Sequence, residues 1–262
     1  MRIGFIGSGK MGSAIIRGIE NKVFSKEDIS VYELNPNIVE NLKVNGIDVA
    51  LSIDELLKSV DIVLIAIKPQ DFSTLLNSLK GKVQGKLIIT IAAGIKIKTI
   101  ENVLGDVKVA RAMPNTAATI GEASSVLCFN GACSESDKVV AEKIFNAIGK
   151  VVLVSEDLMD DVIPIGGSFT AFEYYFYKGF LESSVKRGVP FETAKKLLVQ
   201  SIIGSAKMIE SSDRDIDELI SDVCSKGGTT LAGLSAFEDG NLLNIIDDCA
   251  VRCAERSKEL GK

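Results

Sequence analysis

The chain begins with the stretch Ile3-Gly4-Phe5-Ile6-Gly7-Ser8-Gly9-Lys10-Met11-Gly12, and this stretch decides the fold. A short apolar run breaks into glycines that fit the pattern G-x-G-x-x-G, and an amphipathic segment follows. A glycine-rich turn between a strand and a helix is typical of dinucleotide-binding α/β domains. Gly7 allows the tight turn, Gly9 lets the backbone approach a pyrophosphate, and Gly12 lets the helix pack against the strand.

The residues around this turn extend the prediction to a cofactor site. The helix that begins at Lys10 and Met11 offers free backbone N–H groups to anionic oxygens. Glu33 lies 21 residues after Gly12, at the end of the second predicted strand, where ribose hydroxyls are bound. A carboxylate there repels the 2′-phosphate of NADPH, and no Lys or Arg follows it before Lys43. The sequence therefore predicts NADPH or NADH as the cofactor, with a preference for NADH.

Short apolar runs alternate with amphipathic segments along the first 150 residues. Seven runs are predicted strands, namely Arg2–Ile6, Ile29–Glu33, Ile62–Ala66, Leu87–Ile91, Val107–Ala110, Ser125–Phe129 and Val151–Val154. Helices are predicted between them, for example over Met11–Asn21, Pro36–Asn45, Ile53–Ser59 and Asp71–Leu79. Strands separated by helix-sized intervals favour a parallel, doubly wound α/β sheet of the Rossmann type.

Two loops of this predicted sheet join the cofactor site. In a doubly wound sheet, the loops at the carboxyl ends of the strands line the ligand crevice. Ala66, Lys68 and Pro69 follow the third predicted strand, and Ala92 and Gly94 follow the fourth. The small residues of the second loop would let a flat nicotinamide or ribose lie against the backbone.

The strand pattern ends near Val154, and the rest of the chain is predicted to be helical. The sequence thus predicts a dinucleotide-binding domain over 1–154 and an all-helical domain over 155–262. One helical stretch carries the aromatic residues Phe172, Tyr174, Tyr175, Phe176 and Tyr177. Apolar residues surround most of this helix, and a small helical domain has little interior in which to bury it. We therefore expect the helix to lie in an interface between subunits.

The composition excludes several kinds of site. The 262 residues contain no histidine and no tryptophan, which rules out Ser-His-Asp and Cys-His nucleophile systems and the common His-ligated zinc sites. The five cysteines form no C-x-x-C pair, and we expect reduced thiols in a cytoplasmic protein without a metal. A formal charge of −5 offers no general attraction to nucleic acid or anionic lipid. The longest apolar stretch, Asp61 to Lys68, is far shorter than the roughly 20 residues of a membrane span.

Further segments give the sequence a family resemblance. They are Lys68-Pro69, Ala92-Ala93-Gly94, Arg111-Ala112-Met113-Pro114-Asn115-Thr116, Gly204-Ser205-Ala206-Lys207-Met208 and Ser225-Lys226-Gly227-Gly228-Thr229-Thr230. Together with the glycine turn, they make the sequence resemble pyrroline-5-carboxylate reductase along essentially its whole length. The resemblance implies reduction of the cyclic imine Δ1-pyrroline-5-carboxylate to L-proline with NAD(P)H, the last step of proline biosynthesis. It also implies a helical domain that forms a homodimer, which can assemble further into a decamer.

The resemblance assigns roles to residues outside the glycine turn. Ser225, Gly228 and Thr229 would hold the substrate carboxylate through hydroxyl and backbone N–H groups at a helix start. Thr230 would donate a hydrogen bond to the imine nitrogen, and Asn115 and Lys68 resemble residues near the cofactor. On the residues alone, the segment 225–230 also fits a simple helix start capped by a serine or threonine side chain.

Two departures from the family pattern leave alternatives open. The segment 166–172 replaces the usual Ser-Gly-Ser-Gly-Pro-Ala-Tyr, and Lys226 replaces a proline. A diverged reductase of another small imino or keto acid and a non-catalytic, dinucleotide-binding regulatory paralogue are therefore competing hypotheses. β-Hydroxyacid dehydrogenases share the layout but carry a lysine on the first long helix of the second domain. Here the stretch Phe169–Phe180 has only Lys178, near its far end.

Overall fold

One eight-stranded sheet organises the first part of the chain, in a computed structural model that describes residues 1–260. Its strands are β1 (Ile3–Ile6), β2 (Ile29–Tyr32), β3 (Asp48–Val49), β4 (Ile62–Ile65), β5 (Leu87–Thr90), β6 (Lys108–Pro114), β7 (Ala123–Phe129) and β8 (Gly149–Leu153). Their order across the sheet is β3-β2-β1-β4-β5-β6-β7-β8, and every neighbouring pair is parallel except β6 with β7. The predicted doubly wound α/β fold, with parallel strands predominant, is confirmed.

Three details of the sheet differ from the prediction. The sequence pattern misses β3, because two residues are too few to show a periodicity. A fully parallel sheet is wrong at β7, since β6 and β7 are joined only by a short segment with the 3-10 helix Thr116–Ile120. A parallel return needs a crossover of about a dozen residues or more. β6 also runs past its predicted end at Ala110 to Pro114, because β7 pairs with the extension.

Twelve α-helices accompany the sheet within residues 1–260. They are α1 (Lys10–Ile19), α2 (Pro36–Val44), α3 (Ile53–Ser59), α4 (Phe72–Leu79), α5 (Ile97–Leu104), α6 (Glu135–Asn146), α7 (Ile163–Gly166), α8 (Phe169–Lys186), α9 (Phe191–Glu210), α10 (Ile216–Val223), α11 (Thr229–Asp239) and α12 (Leu242–Leu260). From residue 155 to 260 the structure has helices and no strand, as predicted. No helix in these 260 residues has both the length and the apolar character of a membrane span.

The core lies on both faces of the sheet. Along β4, Ile62 and Leu64 pack in one cluster with α1 and α6, whereas Val63 and Ile65 pack in a second cluster with α3, α4 and α5. All four side chains are at most 2% exposed. A strand covered on both faces is therefore confirmed. This packing fixes the carboxyl ends of the strands, from which the candidate site loops emerge.

By packing, the described chain divides into two units. The sheet unit comprises 1–170 and the returning residues from Val251 onward, and the helical unit comprises 171–250. α8 begins in the sheet unit, and α12 ends in it. Residues 155–170, which we call the connecting segment, thus pack with the sheet although they follow its last strand. The domain boundary after Val154 stays a prediction.

The helical unit buries very little of its own surface. Ala194 is the one buried residue in 171–250. Phe176, Phe180 and Phe237 form an aromatic cluster, with ring centroids 5.1 to 6.5 Å apart. Nevertheless α8, the aromatic helix expected to be buried, has no buried residue within the single chain, and Tyr175 is 80% exposed.

Candidate active site

The glycine turn between β1 and α1 is shaped by the end of β4. Gly7 has a φ of +86°, and its N–H donates to the Tyr32 carbonyl at 2.9 Å. A Cβ at Gly7 would lie 2.8 Å from the Ala66 carbonyl oxygen, and one at Gly12 would lie 3.0 Å from the Gly7 carbonyl oxygen. A Cβ at Gly9 would meet no atom of the described chain within 4 Å. Gly7 and Gly12 therefore permit close packing within the chain, whereas Gly9 leaves open space beside the backbone.

The start of α1 has the features of an anion site. Gly9 is its N-cap residue, and no side chain caps the helix. The N–H groups of Lys10 and Met11 lie in the first turn, where a helix has no acceptor for them. Beside them Ser8 is fully buried, and its carbonyl accepts a hydrogen bond from Ser13 Oγ at 2.7 Å. The open space at Gly9 and the uncapped N–H groups fit the pyrophosphate of a dinucleotide.

Glu33 is held by three backbone N–H groups. Its Oε2 accepts a hydrogen bond from Ser8 N at 2.7 Å, and its Oε1 accepts from Leu34 N at 2.7 Å and Asn35 N at 2.9 Å. The carboxylate thereby joins the glycine turn to the start of α2, whose N-cap residue is Asn35. The sequence predicts the position of Glu33 but carries no signal for these bonds.

The two other predicted loops lie at the same edge of the sheet. Ala66 directly follows β4, and Lys68 precedes the 3-10 helix Pro69–Asp71 with an exposed side chain. Ala92 and Gly94 follow β5, and both are buried. Because the carboxyl ends of parallel strands meet at one edge, the structure brings these loops together with the glycine turn.

Asn115 lies at the end of β6 and is 7% exposed. Its Nδ2 donates to the Gly166 carbonyl at 3.0 Å, and its Oδ1 accepts from Ala117 N at 3.1 Å. The next hydroxyl, that of Thr116, lies 3.5 Å from the hydroxyl of Thr170. Two residues of the segment that departs from the family pattern are thus bound by the end of β6. Contact between Asn115 and a cofactor stays a prediction.

The start of α11, in the helical unit, is a second uncapped helix start. Gly228 is the N-cap residue and no side chain caps the helix, so a start capped by serine or threonine is wrong. The Gly228 N–H donates to the Ser225 carbonyl at 2.8 Å, and a Cβ at Gly228 would lie 2.9 Å from that oxygen. Thr229 and Thr230 occupy the first two helical positions, and Lys226 is exposed.

Several residues that shape these sites were not predicted. The Ser13 hydroxyl supports the glycine turn, and Thr90 Oγ1 accepts a hydrogen bond from the backbone N–H of Ala92 at 3.2 Å. Asp160 binds Arg111, 49 positions earlier in the chain. Single serine, threonine and aspartate residues outside a motif give no sequence signal for such contacts.

Known proteins match this chain in both of its parts. Residues 156–260 match the family model described as pyrroline-5-carboxylate reductase dimerisation, and residues 2–94 match the model described as NADP oxidoreductase, coenzyme F420-dependent. The pyrroline-5-carboxylate reductase of Methanosarcina acetivorans is 36% identical, covering 100% of this chain and 98% of that protein. The enzyme of Arabidopsis thaliana is 32% identical, covering 100% of this chain and 96% of its own.

Solved structures lead to the same family. The crystal structure of Plasmodium falciparum pyrroline carboxylate reductase with NADP bound has a TM-score of 0.92 and 31% identity, covering 100% of this chain and 98% of that one. The full-length relatives and the similar solved structure point to the same family, and the chain belongs to the pyrroline-5-carboxylate reductase family.

Proposed function

We propose that this chain reduces Δ1-pyrroline-5-carboxylate to L-proline with NAD(P)H, as an oxidoreductase of proline biosynthesis. The observation that carries the proposal is the presence of two glycine-flanked, uncapped helix starts, at α1 and α11. Each offers backbone N–H groups to an anion. A dinucleotide and a carboxylate substrate are the two anions that such a reductase must hold.

The glycine turn and the loops after β4 and β5 are proposed to bind the dinucleotide. The first N–H groups of α1, at Lys10 and Met11, would hold the pyrophosphate, because Gly9 leaves the backbone open there. Lys68 and Pro69, and then the small residues at 92–94, would line the remainder of the site. When bound, the dinucleotide supplies the hydride that reduces the imine carbon. The chain itself needs no nucleophile or histidine for this reaction.

The start of α11 is proposed to bind the substrate. Ser225 and Thr229 would hold its carboxylate through hydroxyl and backbone N–H groups on either side of Gly228, the N-cap residue, whose own N–H is bound to the Ser225 carbonyl. The positive end of the helix dipole favours a negative charge there. The hydroxyl of Thr230 would donate a hydrogen bond to the imine nitrogen. Because these four residues belong to one helix start, they would hold the carboxylate and the nitrogen in a fixed relation, which orients the imine.

We further propose that NADH is preferred over NADPH. The ribose hydroxyls of NADH can donate to the Glu33 carboxylate, whereas a 2′-phosphate would meet a like charge. Three backbone N–H groups hold this carboxylate in position, including those of Leu34 and Asn35 at the start of α2. These amides are therefore occupied and unavailable to a phosphate. No Lys or Arg follows before Lys43 to compensate.

The chain self-associates through its helical part, and we propose a homodimer that assembles further into a decamer. The family model matched by residues 156–260 is a dimerisation domain. The exposed aromatic side chains of α8 supply the apolar surface that a subunit interface requires. All five cysteines are free thiols, which supports a proposed location in the reducing cytoplasm.

The direct test measures NADH and NADPH oxidation by the purified chain, with and without pyrroline-5-carboxylate. We expect oxidation that depends on this substrate, and growth of a proline auxotroph that lacks the step when it expresses the chain. Preferential turnover of another imino or keto acid would support the diverged reductase, and folded protein without turnover would support the non-catalytic paralogue. A kcat/KM for NADPH about tenfold or more above that for NADH would contradict the role of Glu33.

A further inference from the structure

The structure buries the charge of Arg111, on β6, almost completely. Its side chain is 1% exposed, and its Nη2 donates to Asp160 Oδ1 at 3.2 Å. The Ser257 hydroxyl donates to the same Asp160 oxygen at 2.7 Å. Glu156 Oε1 lies 3.5 Å from Arg111 Nη1 and also accepts a hydrogen bond from the Ile97 N–H at 2.6 Å. These side chains form one polar cluster, in which Arg111, Asp160 and Ser257 are all buried.

The same side of β6 contacts the connecting segment at two further points. Arg111 and Met113 alternate along β6, and Asn115 directly follows the strand with an extended backbone, so the three side chains point to one side. A Cβ at Gly167 would lie 3.6 Å from Met113 Cγ, and Asn115 donates to the Gly166 carbonyl at 3.0 Å. β6 and the residue that follows it thus contact the connecting segment at three alternate positions.

Asp160 lies in the segment by which the chain leaves the sheet unit, and Ser257 lies in the segment by which it returns. The connecting segment leads into α8, which continues into the helical unit, and α12 brings the chain back from Val251 onward. A second, exposed ion pair joins Lys258 to Asp161 at 2.6 Å. The outgoing and returning segments are therefore tied together within the sheet unit, and the buried tie passes through a single oxygen of Asp160.

Stability alone does not account for this cluster. Apolar residues of similar volume often replace a buried ion pair without loss of stability. Within the described chain, Arg111 Nε and Nη1 have no hydrogen-bond partner. The charge of the guanidinium faces two carboxylates, but its hydrogen-bonding capacity is only partly used. Hydrogen bonds, however, demand particular distances and angles, which apolar contacts do not. The cluster therefore fixes the geometry of β6, the connecting segment and α12.

We propose that Arg111 and Asp160 are positioning residues for substrate turnover. They hold the two chain segments that lead into and out of the helical unit, which carries the start of α11. The inference rests on the proposed function in naming pyrroline-5-carboxylate as the substrate. Asp160 accepts hydrogen bonds from Arg111 and Ser257, which lie outside the glycine turn and the loops after β4 and β5. Loss of the Arg111–Asp160 pair should therefore lower turnover and leave dinucleotide binding intact.

The test compares a double variant, Arg111→Met with Asp160→Leu, with the wild-type chain. The double variant removes both charges of the buried pair together, and Glu156, whose side chain is 29% exposed, keeps its hydrogen bond from the Ile97 N–H. We expect its Kd for NADH, measured by fluorescence, to stay within about twofold of wild type, while kcat/KM for pyrroline-5-carboxylate falls about tenfold or more, since misplaced orienting groups can cost up to about 10²-fold. Hydrogen exchange should rise over 163–170 and 251–260.

Lys108→Met is the matched control, because Lys108 lies on the same strand and pairs with Asp137 of α6 at 3.0 Å. It should leave kcat/KM and the exchange of both segments unchanged. A folded double variant with wild-type kcat/KM overturns the proposal. So does an equal loss of NADH binding, which would make the cluster a general support of the sheet unit.

Ser257→Ala repeats the test if the double variant does not fold, since it removes only one hydroxyl. It should lower kcat/KM in the same direction and raise exchange over 251–260. If the wild-type chain does not turn over pyrroline-5-carboxylate, the proposed function fails, and hydrogen exchange still decides on the cluster. Unchanged exchange of 251–260 in Ser257→Ala would then overturn the tie through Asp160.

Discussion

The sheet unit and the helical unit differ in how far their apolar side chains are buried within the single chain. The four residues of β4 are at most 2% exposed, whereas Tyr175 and Leu243 in the helical unit are each 80% exposed. In a doubly wound sheet, helices of the same chain cover both faces, so the core is complete within one subunit. The helices of 171–250 have no such cover. One part of this chain encloses its own interior, and the other needs a second copy to do so.

The strongest way to break this comparison is to charge the exposed apolar surface of the helical unit. The variant Tyr175→Lys with Leu243→Lys should weaken self-association by about 10³-fold or more, because a two-fold interface buries each new charge twice. Light scattering over a dilution series would measure the shift from oligomer to monomer. Leu51→Lys, at a residue of the sheet unit that is 86% exposed, is the control and should not dissociate. An unchanged oligomer in the double variant would place the interface elsewhere.

A second variant tests the closed packing of the sheet unit. Gly7→Ala introduces a Cβ at a φ of +86° and 2.8 Å from the Ala66 carbonyl oxygen. Strain and displacement of the turn should weaken NADH binding by about 100-fold. Titration of intrinsic NADH fluorescence measures this. Gly131→Ala meets no atom of the described chain within 4 Å and should bind NADH normally. Normal NADH binding by Gly7→Ala would show that the glycine turn can accommodate a Cβ at this position.

Thr230→Ala sharpens the comparison by acting in the helical unit only. Loss of the proposed donor to the imine nitrogen should lower kcat by roughly 10-fold or more, toward the range for one transition-state donor. NADH affinity should hardly change. Thr230→Ser should restore kcat, and Ser235→Ala, on the same helix, should not lower it. A wild-type kcat of Thr230→Ala at saturating substrate would show that Thr230 has no part in the mechanism.

Glu33→Ser is the counterpart in the sheet unit and has the smallest expected effect. It should shift the ratio of kcat/KM values toward NADPH by about fivefold, because Glu33 is only half-buried and a solvent-screened charge contributes about 1 kcal/mol or less. The KM for pyrroline-5-carboxylate should stay constant. Glu40→Ser, on the exposed side of α2, serves as the control. Equal ratios in wild type and Glu33→Ser would show that selectivity has another origin.

The sequence predicts those parts of the fold that depend on residues close together in the chain. β1, the glycine turn and α1 follow from local periodicity and glycine spacing, as does the position of Glu33 at the end of β2. The direction of β7 was not predictable, because it depends on the length of a connection whose 3-10 helix has no periodic pattern. The bond between Asp160 and Ser257 joins residues 97 positions apart and needs the fold to become visible.

The candidate substrate site shows the same limit on a smaller scale. The sequence predicts a helix start at 225–230 and leaves open whether a hydroxyl side chain caps it. The choice depends on the backbone approach between Gly228 and Ser225, which excludes a Cβ at Gly228. Side-chain chemistry alone does not specify such a distance.

The return of α12 to the sheet unit has a consequence for the order of biosynthesis. About 80 residues of the helical unit are translated between the two parts of the sheet unit, and a ribosome needs about 4–16 s for them at roughly 5–20 residues per second. During that interval Asp160 has been synthesised and Ser257 has not. The buried hydrogen bond between Ser257 and Asp160 can therefore form only after the entire helical unit has been translated. The first unit to emerge from the ribosome is the last to be completed.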